Sequence, residues 1–178
     1  MARQLFDIRD SQAGYCRTSI IVHWLTAIAV AFLYVSQERE WTALHLGAGL
    51  IVAPVFLFGA CWRIRRGFPR VPDQPLALNL AERLVMIGIL ACLLAVAVTG
   101  ILVPPLDGNA LSIFGLLSLD VPLPADPVWS GIVKQIHATA GDAFIPLVGL
   151  HVLGALMHRF VWKDRVPARV IRPAPGGR

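Results

Sequence analysis

Four long apolar segments constrain this chain more than any other feature of its sequence. A helix needs about 20 mostly apolar residues to cross the hydrocarbon of a bilayer, and four segments approach or reach that length: residues 18–36, 43–62, 84–103 and 136–160. Hydrophobic residues make up 56% of the 178 residues, and the mean hydropathy is +0.66. The segments also lack the alternating pattern of a transmembrane β-barrel. The sequence therefore predicts an all-α integral membrane protein, a four-helix bundle.

The basic residues predict how this bundle is oriented. Fourteen of the sixteen precede the first span, lie between the second and third, or follow the fourth, and only Arg39 and Lys134 lie on the other side. Because positively charged loops stay in the cytoplasm, both termini are predicted to be cytoplasmic. The chain then divides into a leader (1–17), the membrane domain (18–162) and a tail (163–178). Topology accounts for the net charge of +5, so the lipid bilayer is the expected partner and nucleic acid is not.

All five histidines lie within the apolar segments or at their ends. An ionisable side chain is costly inside a membrane and usually has a partner or a task. His23 and His151 fall in the inner half of the bilayer, whereas His45 and His137 lie near the outer ends of their spans. Fourteen residues of helix place His137 and His151 about 21 Å apart and within roughly 40° of the same face. Depth thus predicts two pairs, His23 with His151 and His45 with His137.

Two imidazoles from different helices at one depth can bind the iron of a b-type haem from both sides. Such a site suits electron transfer, because no position remains open for a substrate. Two remote pairs do not build a tetrahedral zinc site, and proton transfer along the histidines is a further alternative. Gly47 and Gly49 follow His45 and would let a flat ligand approach the backbone, although tight helix packing explains them equally well.

Several other residues are weaker candidates for a functional site. His158, beside Arg159 at the headgroup boundary, either contacts a haem propionate or a quinone or is simply an interfacial histidine. Arg63, Arg66 and Arg159 are candidates for holding propionates or quinone oxygens, although topology already explains their positions. Lys134 is a candidate for guiding an anion to the outer mouth of the bundle.

With these residues in place, the chain resembles the bacterial cytochrome b561 family, and within it the short di-haem, superoxide oxidase-like proteins. The resemblance runs from about Tyr15 to Arg165. It is carried by His23-Trp24, His45 with a following glycine, the Arg-rich break from Trp62 to Arg66, Gln135 to Thr139, Gly149 to His151 and His158 to Asp164. One departure is visible at Glu82 and Arg83, because relatives often carry a histidine near the start of the third helix.

The resemblance implies a bacterial inner-membrane protein with two haem b groups bound by His23, His45, His137 and His151. It also implies ubiquinone as electron acceptor and superoxide, or another one-electron donor, at the outer face. The protein would then be a superoxide:ubiquinone-type oxidoreductase. An alternative is a membrane anchor and electron-relay subunit of a separate dehydrogenase or hydrogenase, and a haem-free bundle or transporter is a third.

Overall fold

A computed structural model of the chain describes residues 15–67, 74–164 and 166–173. Its four long helices are α1 (Arg17–Glu38), α2 (Thr42–Arg66), α3 (Leu76–Leu106) and α4 (Pro127–Phe160). All four are long and apolar enough to cross a membrane. The predicted all-α, four-helix membrane fold is confirmed. We call the end of the bundle at which α1 begins and α4 finishes the inner end, and the opposite end the outer end.

The helices extend beyond the apolar runs, most clearly at the start of α4. The apolar run covers 136–160, but the helix begins at Pro127. Asp126 caps it by accepting hydrogen bonds from the backbone N–H groups of Val128 and Trp129 at 3.0 and 3.1 Å. Pro127 stands in the first turn, where its missing N–H has no helical partner to lose. Apolar length measures the part of a helix within hydrocarbon, whereas the cap marks where the helix itself begins.

The connection between α3 and α4 contains an antiparallel hairpin of β1 (Leu111–Ile113) and β2 (Leu117–Leu119). Its turn places Phe114 and Gly115 at positive φ, 55° and 73°, which is unfavourable for a side chain as bulky as phenylalanine. The hairpin packs on the outer part of α2, where Phe114 meets Gly47. A stretch as apolar as residues 110–119 can lie on the membrane or cap the bundle. In the structure it packs on α2.

Several small residues are buried between the helices, and many large apolar residues face outward. Ala53, Ala60 and Ala97 are buried, whereas Ile28 and Phe58 are about half exposed or more. Lipid tails are as apolar as these large side chains, so helix association in a bilayer depends on close approach and packing instead of the hydrophobic effect. The distribution is that expected of a bundle surrounded by lipid.

The closest backbone contacts in the bundle are between helices that are consecutive in the chain. α1 packs on α2, α2 on α3, and α3 on α4. Within the described residues, no Cα of α4 lies within 8 Å of a Cα of α1 or α2. A buried cluster of Phe56, Leu93, Ala97 and Phe144 bridges the middle of this gap. The remaining gap between α4 and the α1–α2 pair is where the histidines meet.

The chain after α4 folds back onto the inner end of the bundle. A short 3-10 helix, Pro167–Val170, contacts both α1 and α4. The indole Nε1 of Trp24 donates a hydrogen bond to the carbonyl oxygen of Val170 at 2.8 Å. This contact ties the start of the tail to α1, and the Pro- and Arg-rich sequence does not predict it.

Candidate functional site

The structure brings the four predicted ligand histidines together in two pairs. The ring centroids of His23 and His151 are 6.3 Å apart, with the ring planes inclined by 65°. Those of His45 and His137 are also 6.3 Å apart, with the planes inclined by 84°. All four side chains are half-buried. Each pair spans the gap to α4, the first from α1 toward the inner end and the second from α2 toward the outer end.

The spacing of the rings fits ligation of one iron from two sides. A metal-bound imidazole nitrogen lies about 2.0 Å from its metal and the ring centroid about 1 Å farther, so two opposed rings have centroids about 6 Å apart. The backbones stand apart here, since no Cα of α4 among the described residues lies within 8 Å of a Cα of α1 or α2. Around Gly141, one turn from His137, no described atom outside its chain neighbours and the backbone of its own helix lies within 4 Å of the place where a Cβ would stand. The residues present therefore fit a haem at each pair, and ligation itself stays a prediction.

Phe144 and Phe56 separate the two pairs. Phe144 lies seven residues from His137 and seven from His151, which is about 10 Å along the helix from each. It is buried against Phe56 and two residues of α3. Because this cluster crosses the middle of the gap, the histidine pairs are two sites and not the two ends of one cavity.

Hydrogen bonds hold both rings of the outer pair. Nδ1 of His45 lies 3.0 Å from the carbonyl oxygen of Leu33 and 3.3 Å from Oγ of Ser36. Nδ1 of His137 lies 3.0 Å from Oγ1 of Thr99. Since Nδ1 is occupied in each ring, Nε2 is the nitrogen left available to a metal.

The two hydroxyls in these bonds were missed by sequence reasoning. Ser36 is 0% exposed and Thr99 is 7% exposed, so each is a polar group buried in an apolar bundle. The signal for Thr99 was present, because it is the only hydroxyl in the apolar run 84–103. A lone hydroxyl at that depth needs an acceptor or a donor nearby, and His137 is its partner.

His158 lies outside both pairs and is engaged at both ring nitrogens. It is 3% exposed, with Nε2 2.9 Å from Oε1 of Glu82 and Nδ1 2.5 Å from Oδ2 of Asp164. The Trp162 ring stands edge-on at a centroid distance of 4.6 Å. A bond from His158 to a propionate or a quinone would therefore require one carboxylate to move away. Those contacts stay predictions. In the sequence, Glu82 stands out only as a departure from relatives, and its contact with His158 was not predicted.

The two candidate glycines pack against protein. A Cβ on Gly47 would stand 2.6 Å from the backbone nitrogen of Phe114 and still closer to its ring, whereas a Cβ on Gly49 would stand 3.9 Å from Cδ2 of Leu33. The close approach seen at Gly47 is thus that of the outer hairpin. Contact of either glycine with a flat ligand stays a prediction.

The three candidate arginines differ in how they are engaged. Arg63 donates from Nη1 to the carbonyl oxygen of Gly67 at 3.2 Å. Arg66 lies over the Trp62 ring at 4.5 Å, and its Nη1 and Nη2 atoms are buried without a hydrogen-bond partner among the described residues. Arg159 is exposed. Arg66 is therefore the arginine with an unsatisfied, forked donor to offer an anionic group at the inner end.

Lys134, the candidate for outer anion guidance, forms a salt bridge. Its Nζ lies 2.7 Å from Oδ2 and 2.8 Å from Oδ1 of Asp107. Ser130 donates a hydrogen bond to the same carboxylate. The hydrogen bonds from Lys134 and Ser130 lower the pKa of Asp107 below its ordinary value of 3.8. The positive charge of Lys134 is thus offset at close range, and its guiding role stays a prediction.

Comparison with known proteins supports the resemblance seen in the sequence. A family model described as prokaryotic cytochrome b561 matches residues 14–173. Cytochrome b561 homolog 1 of Escherichia coli (strain K12) is 25% identical over 170 residues, covering 88% of this chain and 96% of that protein. Cytochrome b561 homolog 2 of the same strain is 23% identical over 166 residues, covering 90% and 88%. Cytochrome b562 of Cereibacter sphaeroides is 26% identical over 181 residues, covering 91% and 98%.

Proposed function

The chain belongs to the prokaryotic cytochrome b561 family, and we propose that it binds two haem b groups, one at each histidine pair. Membership of the family makes it a membrane cytochrome of the b type, with haem b as cofactor and a part in electron transfer. The observation that carries the proposal of two sites is the presence of two pairs with the same 6.3 Å between ring centroids. A buried aromatic cluster lies between them.

In this proposal the histidines bind the haem iron and leave no position on it for another ligand. His23 and His151 bind at the inner site, and His45 and His137 bind at the outer site. Haem b supplies an iron that changes its oxidation state by one electron. With an imidazole held on each side of the iron, oxygen or a substrate would have no place on the metal. The chain thus favours electron exchange at the cofactor edge over chemistry at the iron.

The proposed location is the bacterial cytoplasmic membrane, with both termini inside. The distribution of charge supports this location and orientation, because fourteen of the sixteen basic residues flank the inner ends of the spans. The outer end then faces the periplasm with the His45–His137 pair, and the inner end faces the cytoplasm with the His23–His151 pair.

The proposed reaction couples oxidation of superoxide at the outer face to reduction of ubiquinone. Two superoxide anions each lose one electron and become dioxygen, and ubiquinone takes up two electrons and two protons to become ubiquinol. The resemblance to superoxide oxidase-like proteins supports this pair of reactants. Lys134, whose side chain is 52% exposed at the outer end, contributes a positive charge that its salt bridge partly offsets.

At the inner end, Arg66 is the residue proposed to hold a haem propionate or a quinone oxygen. Its two Nη atoms are buried without a partner in the described part of the chain, and a guanidinium fork binds a carboxylate with two parallel hydrogen bonds. Arg63, Arg159 and His158 are weaker candidates for the same task, because Arg63 and His158 already have partners and Arg159 is exposed.

A direct assay separates this function from that of an anchor subunit. The purified holoprotein in lipid nanodiscs is supplied with a ubiquinone analogue and an enzymatic source of superoxide, and haem reduction and ubiquinol formation are followed optically. Both signals are expected, and superoxide dismutase is expected to abolish them. Absence of both signals, together with a dehydrogenase or hydrogenase that co-purifies at one copy per chain, would instead favour the electron-relay subunit.

A further inference from the structure

The two histidine pairs differ in what their Nδ1 atoms contact. At the outer pair, a carbonyl oxygen lies 3.0 Å from Nδ1 of His45. A carbonyl accepts and never donates, so this Nδ1 carries the proton and donates it to Leu33. Ser36 donates its own hydroxyl proton to the same carbonyl at 2.8 Å, which leaves its oxygen free to accept from His45 as well.

The same reasoning assigns the proton on the second outer ring. Thr99 has one hydroxyl proton, and Oγ1 donates it to the carbonyl oxygen of Ala95 at 2.5 Å. Oγ1 can therefore only accept from Nδ1 of His137, which lies 3.0 Å away. Both outer rings thus present an N–H to a buried acceptor and keep Nε2 for the metal.

The inner pair has no such partners. Across residues 15–67, 74–164 and 166–173, neither ring of His23 or His151 has a hydrogen bond. Within that part of the chain, hydrogen bonds therefore hold the rings of the outer pair alone.

This difference acts on reduction potential. A hydrogen bond donated by the distal N–H of a bound imidazole raises the basicity of the ligand, which stabilises the oxidised metal and lowers the potential of the site. Within the described residues, the outer pair has this influence and the inner pair does not.

We propose that Thr99, with the Leu33 carbonyl and Ser36, makes the outer site the lower-potential site of the two. An electron that arrives at the outer site then moves downhill to the inner site, which is oxidised before the step and reduced after it. Thr99 and Ser36 are positioning residues here, since they act through His137 and His45. The inference rests on the proposed two-haem function.

Redox titration of the holoprotein followed by visible spectroscopy tests the proposal. The wild-type titration is expected to show two one-electron components, and His45→Ala is expected to lose the lower one. Thr99→Val removes the acceptor with little change of volume, and it is expected to shift the lower component to a more positive potential while the higher one stays. Thr139→Val, on the exposed face of α4, is the matched control and is expected to shift neither.

Ser36→Ala provides a second variant in case Thr99→Val fails to bind haem. It is expected to shift the same component in the same direction by a smaller amount, because the Leu33 carbonyl remains. Loss of the higher component in His45→Ala, or lower-component potentials in both variants equal to that of the wild type, would overturn the inference and leave the two-haem function standing. A wild-type protein with one haem and one component would instead remove the two-haem function itself.

Discussion

Nε2 of His158 lies 2.9 Å from Oε1 of Glu82 and so joins the inner end of α4 to the beginning of α3 across 76 residues of sequence. The same ring bonds through Nδ1 to Asp164, just after α4. His158 is 3% exposed and contacts two carboxylates. These contacts hold α4 against α3 and fix the direction in which the chain leaves α4.

Removal of this ring is expected to destabilise the inner end. His158→Ala leaves Glu82 and Asp164 without their partner, and a lost buried hydrogen bond costs about 1–3 kcal/mol. Because both carboxylates are about one-third exposed, the lower part of that range is expected. Thermal unfolding in detergent measures the change, and Glu82→Gln, which keeps an acceptor oxygen, is the milder control. Unfolding of His158→Ala at the wild-type temperature would show that the contact is not a structural one.

A methyl group on Gly47 is expected to displace the outer hairpin. Its Cβ would stand 2.6 Å from the backbone nitrogen of Phe114, closer than two such atoms can approach. Overpacking of this kind costs typically 1–3 kcal/mol, and faster proteolysis between residues 108 and 120 would report it. Gly49→Ala is the matched control, because its Cβ meets Leu33 only at 3.9 Å. Equal proteolysis of the two variants would contradict the packing role of Gly47.

Asp107 is expected to limit the reaction with an anion at the outer face. Asp107→Asn leaves Lys134 with an unbalanced charge, so the second-order rate of haem reduction by superoxide is expected to rise several-fold at low ionic strength, with a smaller gain at high salt. Lys134→Gln is expected to lower the rate. An equal rate in all three proteins would remove Lys134 from the guidance of superoxide.

The salt bridge between Asp107 and Lys134 is expected to make stability depend on pH. Because the pKa of Asp107 is lowered in the folded protein, the stabilisation by this salt bridge is fully present above the ordinary carboxyl pKa of 3.8. It is lost as the pH falls through the lower folded-state pKa. Thermal unfolding below pH 4 should therefore show a smaller difference between wild type and Asp107→Asn than unfolding at pH 7. A difference that grows on acidification would contradict the assignment.

Arg66 is expected to matter to the inner site, and its neighbour Arg65 is not. Arg66→Gln removes the buried, unpartnered guanidinium, so the higher-potential component should shift to a more negative potential and haem should be retained less well. Arg65 is exposed on the same turn of α2, and Arg65→Gln controls for net charge. Matching potentials in the two variants would show that no propionate contacts Arg66.

Depth in the membrane could be predicted from the sequence because a helix rises by a fixed distance per residue. That is why the apolar runs and the positions of His23, His45, His137 and His151 were enough to group the histidines by level. The direction in which a side chain points across the bundle depends on how helices pack, which a single sequence leaves open. Thr99 and Ser36 were missed for this reason, although each lies near the depth of its histidine.

The hairpin was missed for a different reason. Leu-Ser-Ile at 111–113 and Leu-Ser-Leu at 117–119 do alternate, but three residues are too few for a period of two to be told from an apolar loop. The close approach of Phe114 to Gly47 holds the hairpin in place, and no local pattern signals a contact between residues that far apart in the sequence.

The number of haems per chain tests the central proposal most directly. Purified holoprotein is analysed for haem as its pyridine derivative and for protein by amino-acid analysis, together with His45→Ala and His151→Ala, which each remove one half of a different pair. Two haems are expected in the wild type and one in each variant, with reduced-minus-oxidised spectra that differ between the two. One haem in the wild type, or two haems in both variants, would contradict the assignment of one haem to each pair.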